Sequence, residues 1–134
     1  ARQGSTRAAQ WVGGGMIFAP KPRDYSVKMN KKEKAAAIKS ALSSRVAEEK
    51  IYVVDSLAFD EIKTKKMAAV LDSLKVEKAL VVLDKKDENV ILSARNIPEV
   101  RTVLSGSVNV YDVLKYNNVV ITKEAVAQIE EVYA

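Results

Sequence analysis

From residue 31 onward, short runs of β-branched apolar residues alternate with segments whose apolar residues recur at helical spacing. The apolar runs cover residues 51–54, 79–83, 100–104 and 119–121, and their composition is typical of strands buried on both faces. Parallel strands need a crossover connection, which is usually a helix. The alternation therefore predicts an α/β fold, in which an open, mostly parallel sheet of about four strands carries helices on both faces in a Rossmann-like arrangement.

Five helices are predicted around these strands. The first covers residues 31–49, and the third and fourth cover 87–95 and 110–116. We expect Thr64 to be the N-cap of the second helix and Thr122 that of the fifth. The residues expected to face the core are Ala35, Ile38, Leu42 and Val46 in the first helix, Met67, Val70, Leu71 and Leu74 in the second, and Val126, Ile129 and Val132 or Tyr133 in the last.

The excess positive charge is confined to the first 34 of the 134 residues. The whole chain has a formal net charge of +5. Residues 1–34 contain eight Lys and Arg against two acids, whereas the other hundred residues contain 14 against 15. This asymmetry predicts a segment that binds a polyanion, joined to a nearly neutral body.

The first 28 residues show neither helical nor strand periodicity. They contain two of the three prolines and four of the five glycines, namely Gly4, Gly13, Gly14 and Gly15, a composition typical of irregular backbone with little core. We therefore divide the chain into an extended, irregular arm (residues 1–29) and a globular α/β body (residues 30–134). Since the chain starts at Ala1, we expect it to begin inside a longer protein.

Composition argues against most catalytic chemistry. The chain contains no cysteine and no histidine, which removes disulfides, thiolate metal sites, and the commonest general base and metal ligand. It has no apolar run near the ~20 residues that a membrane span requires. We expect no catalytic site, no metal, no cofactor and no membrane partner, and the lack of cysteine suits the reducing cytoplasm.

The arm has the side chains that folded RNA requires, because such RNA is held through phosphates, 2′-hydroxyls and stacking on unpaired bases. The arm and the start of the first helix combine cations, neutral hydrogen-bonding groups, glycines and two flat rings. The candidate RNA-binding residues are Arg2, Gln3, Arg7, Gln10, Trp11, Gly13, Gly14, Gly15, Lys21, Arg23, Tyr25, Lys28, Lys31, Lys32 and Lys34. Two other interpretations stay open: a merely solvated tail, or Trp11 and Phe18 packed onto the body.

Two details of the sequence indicate which kind of anion the arm binds. A nucleotide-binding glycine loop follows a strand and opens a helix, but here the three glycines precede Met16-Ile17-Phe18-Ala19-Pro20, which cannot open one. A nucleotide loop is therefore rejected. Lys31, Lys32 and Lys34 crowd the first turn of the first helix, where the macrodipole disfavours cations. That placement favours a phosphate partner, which the helix N-terminus would itself attract.

Segments along the whole chain resemble the bacterial-type family of large-subunit ribosomal protein L4. The resemblance is carried by Arg2-Gln3-Gly4-Ser5, Gln10-Trp11-Val12-Gly13-Gly14-Gly15, Pro20-Lys21-Pro22-Arg23-Asp24-Tyr25-Ser26, Asn30-Lys31-Lys32, Ser40-Ala41-Leu42-Ser43, Lys63-Thr64-Lys65, Leu92-Ser93-Ala94-Arg95-Asn96 and Ile121-Thr122-Lys123-Glu124-Ala125-Val126. Their order along essentially all 134 residues makes the resemblance more specific than any single motif.

The resemblance implies a structural, non-enzymatic protein of the cytoplasmic ribosome. In such a protein the arm is one limb of a long loop that enters large-subunit ribosomal RNA and reaches toward the peptide exit tunnel. The implied partners are that RNA and neighbouring large-subunit proteins, and no homo-oligomer is expected in the working state. The resemblance also implies that the family's N-terminal third, including the loop tip, is missing from this sequence.

Two rival functions come from other classes. Asp55, Asp84 and Lys123 follow predicted strands, and the carboxyl edge of a parallel sheet is where a phosphorelay receiver-like domain holds its phosphoacceptor. Against this, aspartates after strands are also common turn residues. Alternatively, the arm binds an acidic protein, in which case affinity would depend less steeply on salt than RNA binding does.

Overall fold

The computed structural model describes residues 4–133 and contains one four-stranded parallel sheet. Its strands are β1 (Ile51–Val54), β2 (Ala79–Leu83), β3 (Val100–Leu104) and β4 (Asn118–Thr122), in the spatial order β1-β4-β2-β3. Ile51 is opposite Val119, and Ala79 lies between Asn118 and Val100. The predicted α/β class with an open parallel sheet of four strands is confirmed.

Five helices accompany the sheet, near their predicted positions. They are α1 (Lys31–Ala47), α2 (Thr64–Ser73), α3 (Glu88–Ala94), α4 (Val110–Lys115) and α5 (Lys123–Tyr133), with a short 3₁₀ helix at Ser105–Ser107. Asp87 and Asn109 cap α3 and α4, since their side-chain oxygens accept backbone N–H groups of the first turn. The prediction for Thr64 was wrong: Lys63 is the N-cap of α2, and Thr64 is its first helical residue. Thr122 is the last residue of β4.

The core has two layers, one on each face of the sheet. On one face Ala41 of α1, Val113 of α4 and Ala125 of α5 pack on Leu80 and Val82. On the other face Met67 of α2 and Val90 of α3 pack on Ala79, Val81 and Leu83. Successive residues of β2 therefore point into different layers, and all five are buried. This is why every residue of β2 is apolar.

Four apolar residues expected in the core are exposed. Val46 in α1 is 62% exposed, and Leu104 at the end of the edge strand β3 is exposed as well. Of the two alternatives at the end of α5, Val132 is 69% exposed, whereas Tyr133 is half-buried. Val53 is 60% exposed because β1 is an edge strand, paired with β4 alone among the described residues. In α1 the inward position of the last turn is taken by Arg45, which is only 7% exposed. Within residues 4–133, no helix has the length and apolar character needed to cross a membrane.

Candidate nucleic-acid interface

The arm is exposed over nearly its whole described length. From residue 4 to residue 30 every residue is exposed except Ala8 and Gly14, which are half-buried. Trp11 is 49% exposed and Phe18 is 94% exposed. The alternative that Phe18 anchors the arm in the body's core is therefore wrong, because a packing anchor would be buried. Arg2 and Gln3 lie outside the described residues.

The glycine-rich part of the arm is a closed loop of turns rather than an extended strand. The N–H of Gly15 donates to the carbonyl of Arg7 at 2.9 Å and closes the loop. Inside it, the N–H of Trp11 donates to Ala8 at 3.0 Å, and that of Gly14 donates to Trp11 at 2.9 Å. We call residues 7–15 the glycine loop. Six of the candidate RNA-binding residues lie there: Arg7, Gln10, Trp11, Gly13, Gly14 and Gly15.

Only two of its three consecutive glycines are required by the backbone. Gly13 has φ +77°, which other residues rarely adopt. A Cβ on Gly14 would lie 2.0 Å from the carbonyl oxygen of Ala8, so this position excludes any side chain. A Cβ on Gly15 would make an ordinary 3.4 Å contact. Gly14 therefore allows a close approach within the arm itself, between its own backbone and that of Ala8.

Residues 16–30 contain no helix or strand and display the second group of candidate residues. The guanidinium carbon of Arg23 lies 4.0 Å from the centroid of the Tyr25 ring. Between them, the Asp24 carboxylate accepts the Ser26 N–H and the Ser26 hydroxyl, both at 2.8 Å. The backbone bond from Ser26, reinforced by its hydroxyl, lowers the pKa of Asp24. Sequence reasoning missed this turn, although Asp is a common turn residue because its side chain can bond the backbone two residues further on.

The start of α1 is capped by the chain itself. Asn30 and Glu33 form a capping box, in which the Glu33 carboxylate accepts the Asn30 N–H at 3.0 Å. The expectation that the helix N-terminus attracts a phosphate stays a prediction, and the Glu33 carboxylate already contributes one negative charge to this first turn. Lys31, Lys32 and Lys34 are exposed around it and point their charge to solvent.

The cations of this surface are not neutralised within the described chain. Ion pairs at residues 4–133 involve only lysines and arginines of the body, such as Arg45 with Glu48 and Lys78 with Glu99. None of those pairs includes the seven described cations of the arm and the α1 start. We call these seven the arm cations: Arg7, Lys21, Arg23, Lys28, Lys31, Lys32 and Lys34. A surface of this kind attracts a polyanion.

The rival site at the carboxyl edge of the sheet is an internal hydrogen-bonding cluster. Thr122 donates to Asp84 at 3.4 Å, and Lys85 lies 4.0 Å from the same carboxylate. Burial acts to raise the pKa of Asp84, but hydrogen bonds with its own backbone N–H, with the Glu124 side chain and with the Lys85 backbone N–H, together with the charge of Lys85, outweigh it and lower the pKa. Asp55 follows β1, which β4 separates from β2. Among the described residues, no three acidic side chains come together to hold a metal.

The comparisons with known proteins agree on one protein family. The family model described as the ribosomal protein L4/L1 family matches residues 1–132. Over all 134 residues, the chain is 73% identical to large ribosomal subunit protein uL4 of Lachnoclostridium phytofermentans and 67% identical to that of Agathobacter rectalis. It spans 65% of the length of each of these relatives. These matches leave the receiver-like alternative without support.

Proposed function

Since the chain belongs to the ribosomal protein L4/L1 family, we propose that it is a structural constituent of the large ribosomal subunit that binds large-subunit ribosomal RNA. The binding surface comprises the arm and the first turn of α1. The observation that carries the proposal is the set of seven arm cations on exposed backbone, none paired with an acid in residues 4–133. Membership in a ribosomal protein family also supports the expectation that the chain is not an enzyme.

The physical basis is electrostatic. Each phosphate that a lysine or arginine neutralises releases condensed counterions, so the binding constant falls steeply as salt rises. The arm has almost no buried surface of its own, and an ordered RNA surface would supply the contacts that its exposed residues lack. Gln10, Trp11 and Tyr25 add hydrogen bonding and stacking to the charge.

The finer features of the proposed function are based on the membership of the chain in this family. We propose that the arm enters the RNA as one limb of a loop directed toward the peptide exit tunnel, and that the exposed body contacts neighbouring large-subunit proteins. The working location is the cytoplasmic ribosome, and the chain acts there as a single copy. Arg2 and Gln3 extend the proposed RNA surface beyond the described residues.

A salt series tests the proposal. The 134-residue chain and a variant lacking residues 1–28 are titrated with a large-subunit ribosomal RNA transcript. If about six phosphates are engaged, the logarithm of the binding constant falls by about 5 per decade of salt. The deletion should lower both affinity and slope, while its urea unfolding curve shows that the body stays folded. Equal affinity of the two chains would contradict the proposal. If the binding constant depends only weakly on salt and the chain binds polyglutamate as tightly as the RNA, an acidic protein partner is favoured instead.

A further inference from the structure

Arg23 and Tyr25 form a flat, positively charged surface that is left exposed by the other residues in the range 4–133. The guanidinium carbon lies 4.0 Å from the ring centroid, a separation typical of a planar group stacked on an aromatic face. Tyr25 is 73% exposed and Arg23 is exposed as well. An aromatic ring with a structural role in a core would be buried. A further planar group can therefore stack on this pair.

Local backbone features hold the pair in place without help from the body. Pro22 fixes its own φ angle immediately before Arg23. The carboxylate of Asp24 is engaged by Ser26, through both its N–H and its hydroxyl. Asp24 forms no ion pair with Arg23 among the described contacts, so the guanidinium charge is available to an anionic partner. A preorganised surface loses less entropy when a ligand binds.

The chemistry of this surface selects among the groups that RNA offers. Bases inside a duplex are already stacked on both faces, so they present only edges and phosphates. An unpaired base presents a flat π surface with a phosphate nearby, and arginine planes and tyrosine rings are both known stacking partners for such bases. A phosphate alone would need the charge of Arg23 but would gain nothing from the Tyr25 ring.

We propose that Arg23 and Tyr25 are a stacking platform for one unpaired nucleobase, with the guanidinium lying between the tyrosine ring and the base. The proposal rests on the proposed RNA-binding function of the arm and assigns a definite ligand to one part of it. The other arm cations supply charge, whereas this pair adds a stacking contact that an unpaired base can make and a paired base cannot.

Four variants of the 134-residue chain test the platform against the same large-subunit RNA transcript. Tyr25→Leu removes the ring, Tyr25→Phe keeps it without the hydroxyl, and Arg23→Lys keeps the charge without the planar group. Tyr111→Leu is the matched control, because Tyr111 is a 67% exposed aromatic residue of the body. We expect Tyr25→Leu and Arg23→Lys each to weaken binding about tenfold, the scale of one stacked base, with the salt slope unchanged. Tyr25→Phe and Tyr111→Leu should bind like the parent.

Competition identifies the ligand class. Single-stranded poly(A) should displace the transcript from the parent chain about tenfold better than duplex poly(A)·poly(U), and Tyr25→Leu should reduce that difference severalfold. If the binding constant of the parent falls steeply with salt but Tyr25→Leu and Arg23→Lys bind the transcript as tightly as the parent, the stacking platform is wrong and the RNA-binding function of the arm stands. Equal losses in Tyr25→Phe and Tyr25→Leu would also overturn the platform. Failure of the parent to bind the transcript would overturn the proposed function itself.

Discussion

Arg45, in the last turn of α1, donates from Nη2 to the carbonyl oxygen of Leu114 at the end of α4, 2.8 Å away. Its Nε donates to the carbonyl of Val113 at 3.0 Å, and its Nη1 pairs with Glu48 at 2.8 Å. Carbonyl groups at the end of a helix lack partners within that helix. One buried arginine thus satisfies two of them and joins two helices on the same face of the sheet.

Replacing Arg45 by methionine should destabilise the body by about 2–4 kcal/mol, because the carbonyl groups of Val113 and Leu114 would lose a charged donor. Urea unfolding of the purified variants measures this change. Lys39→Met is the control, since Lys39 is an exposed residue of the same helix and its loss should alter stability by no more than about 0.5 kcal/mol. A similarly small change for Arg45→Met would contradict the assigned role.

Replacing Lys31, Lys32 and Lys34 together by glutamine should change stability and RNA binding in opposite directions. Removing cations from a helix N-terminus stabilises the helix by about 0.3–1 kcal/mol per charge at most, so the urea midpoint should rise. The salt slope of RNA binding should fall by about 2–3, since each engaged phosphate contributes about 0.9.

The control for this variant is Lys65→Gln with Lys66→Gln, at the first turn of α2 on the opposite face of the sheet. It should raise the urea midpoint in the same way and leave the salt slope as in the parent. An unchanged slope for the α1 variant would place these three lysines outside the RNA surface.

The stability contributed by Glu48 should depend on pH. Its carboxylate accepts hydrogen bonds from Lys50 at 2.7 Å and from Arg45 at 2.8 Å. These two bonds, that from Lys50 first, lower the pKa of Glu48 below its ordinary value of 4.5. A carboxyl whose pKa is lower in the folded state stabilises the fold above its unfolded pKa and loses that effect as pH falls through the folded pKa.

The unfolding midpoint of Glu48→Gln should therefore lie below that of the parent at pH 7, and the gap should close as pH falls below about 4.5. Glu49→Gln serves as the control, because Glu49 is an exposed neighbour at the end of the same helix. A gap that stays constant from pH 7 to pH 3 would show that the ion pairs of Glu48 contribute nothing.

Gly14→Ala should open the glycine loop, because its Cβ would lie 2.0 Å from the Ala8 carbonyl oxygen. The amide of residue 15, bonded to Arg7 in the parent, should then exchange with solvent at the rate of an unstructured amide. NMR hydrogen exchange measures this, and Gly15→Ala is the control, since its Cβ makes only an ordinary contact. Slow exchange at residue 15 in Gly14→Ala would show that the loop tolerates the methyl group.

The sequence predicted the order and type of the regular elements because their periodicity is a local property. It could not predict Arg45, since the apolar positions of α1 permitted either residue 45 or residue 46 to turn inward. The choice depends on carbonyl groups of α4 nearly seventy residues away. Val53 was misjudged for a related reason: an apolar run does not tell whether its strand has one neighbour or two.

The candidate nucleic-acid interface was likewise predictable from the sequence only in part. Charge and glycine content predicted the arm's exposed, basic character, because composition alone determines how little core such a segment can form. The closure of the glycine loop by Arg7 and Gly15 depends on residues eight positions apart with no periodic pattern between them. The stacking of Arg23 on Tyr25 likewise depends on side-chain geometry that composition does not specify.

The position of β4 has a consequence for how the molecule is made. The strand nearest the C-terminus lies between β1 and β2, and within the described chain it is the only partner of β1. During synthesis from the N-terminus, the pairing of β1 with β4 must therefore wait while α2, β2, α3, β3 and α4 are produced. The body can pair β2 with β3 early, but the pairings of β4 with β1 and with β2 form only when residues 118–122 are available. Completion of the four-stranded sheet is thus among the last events of folding.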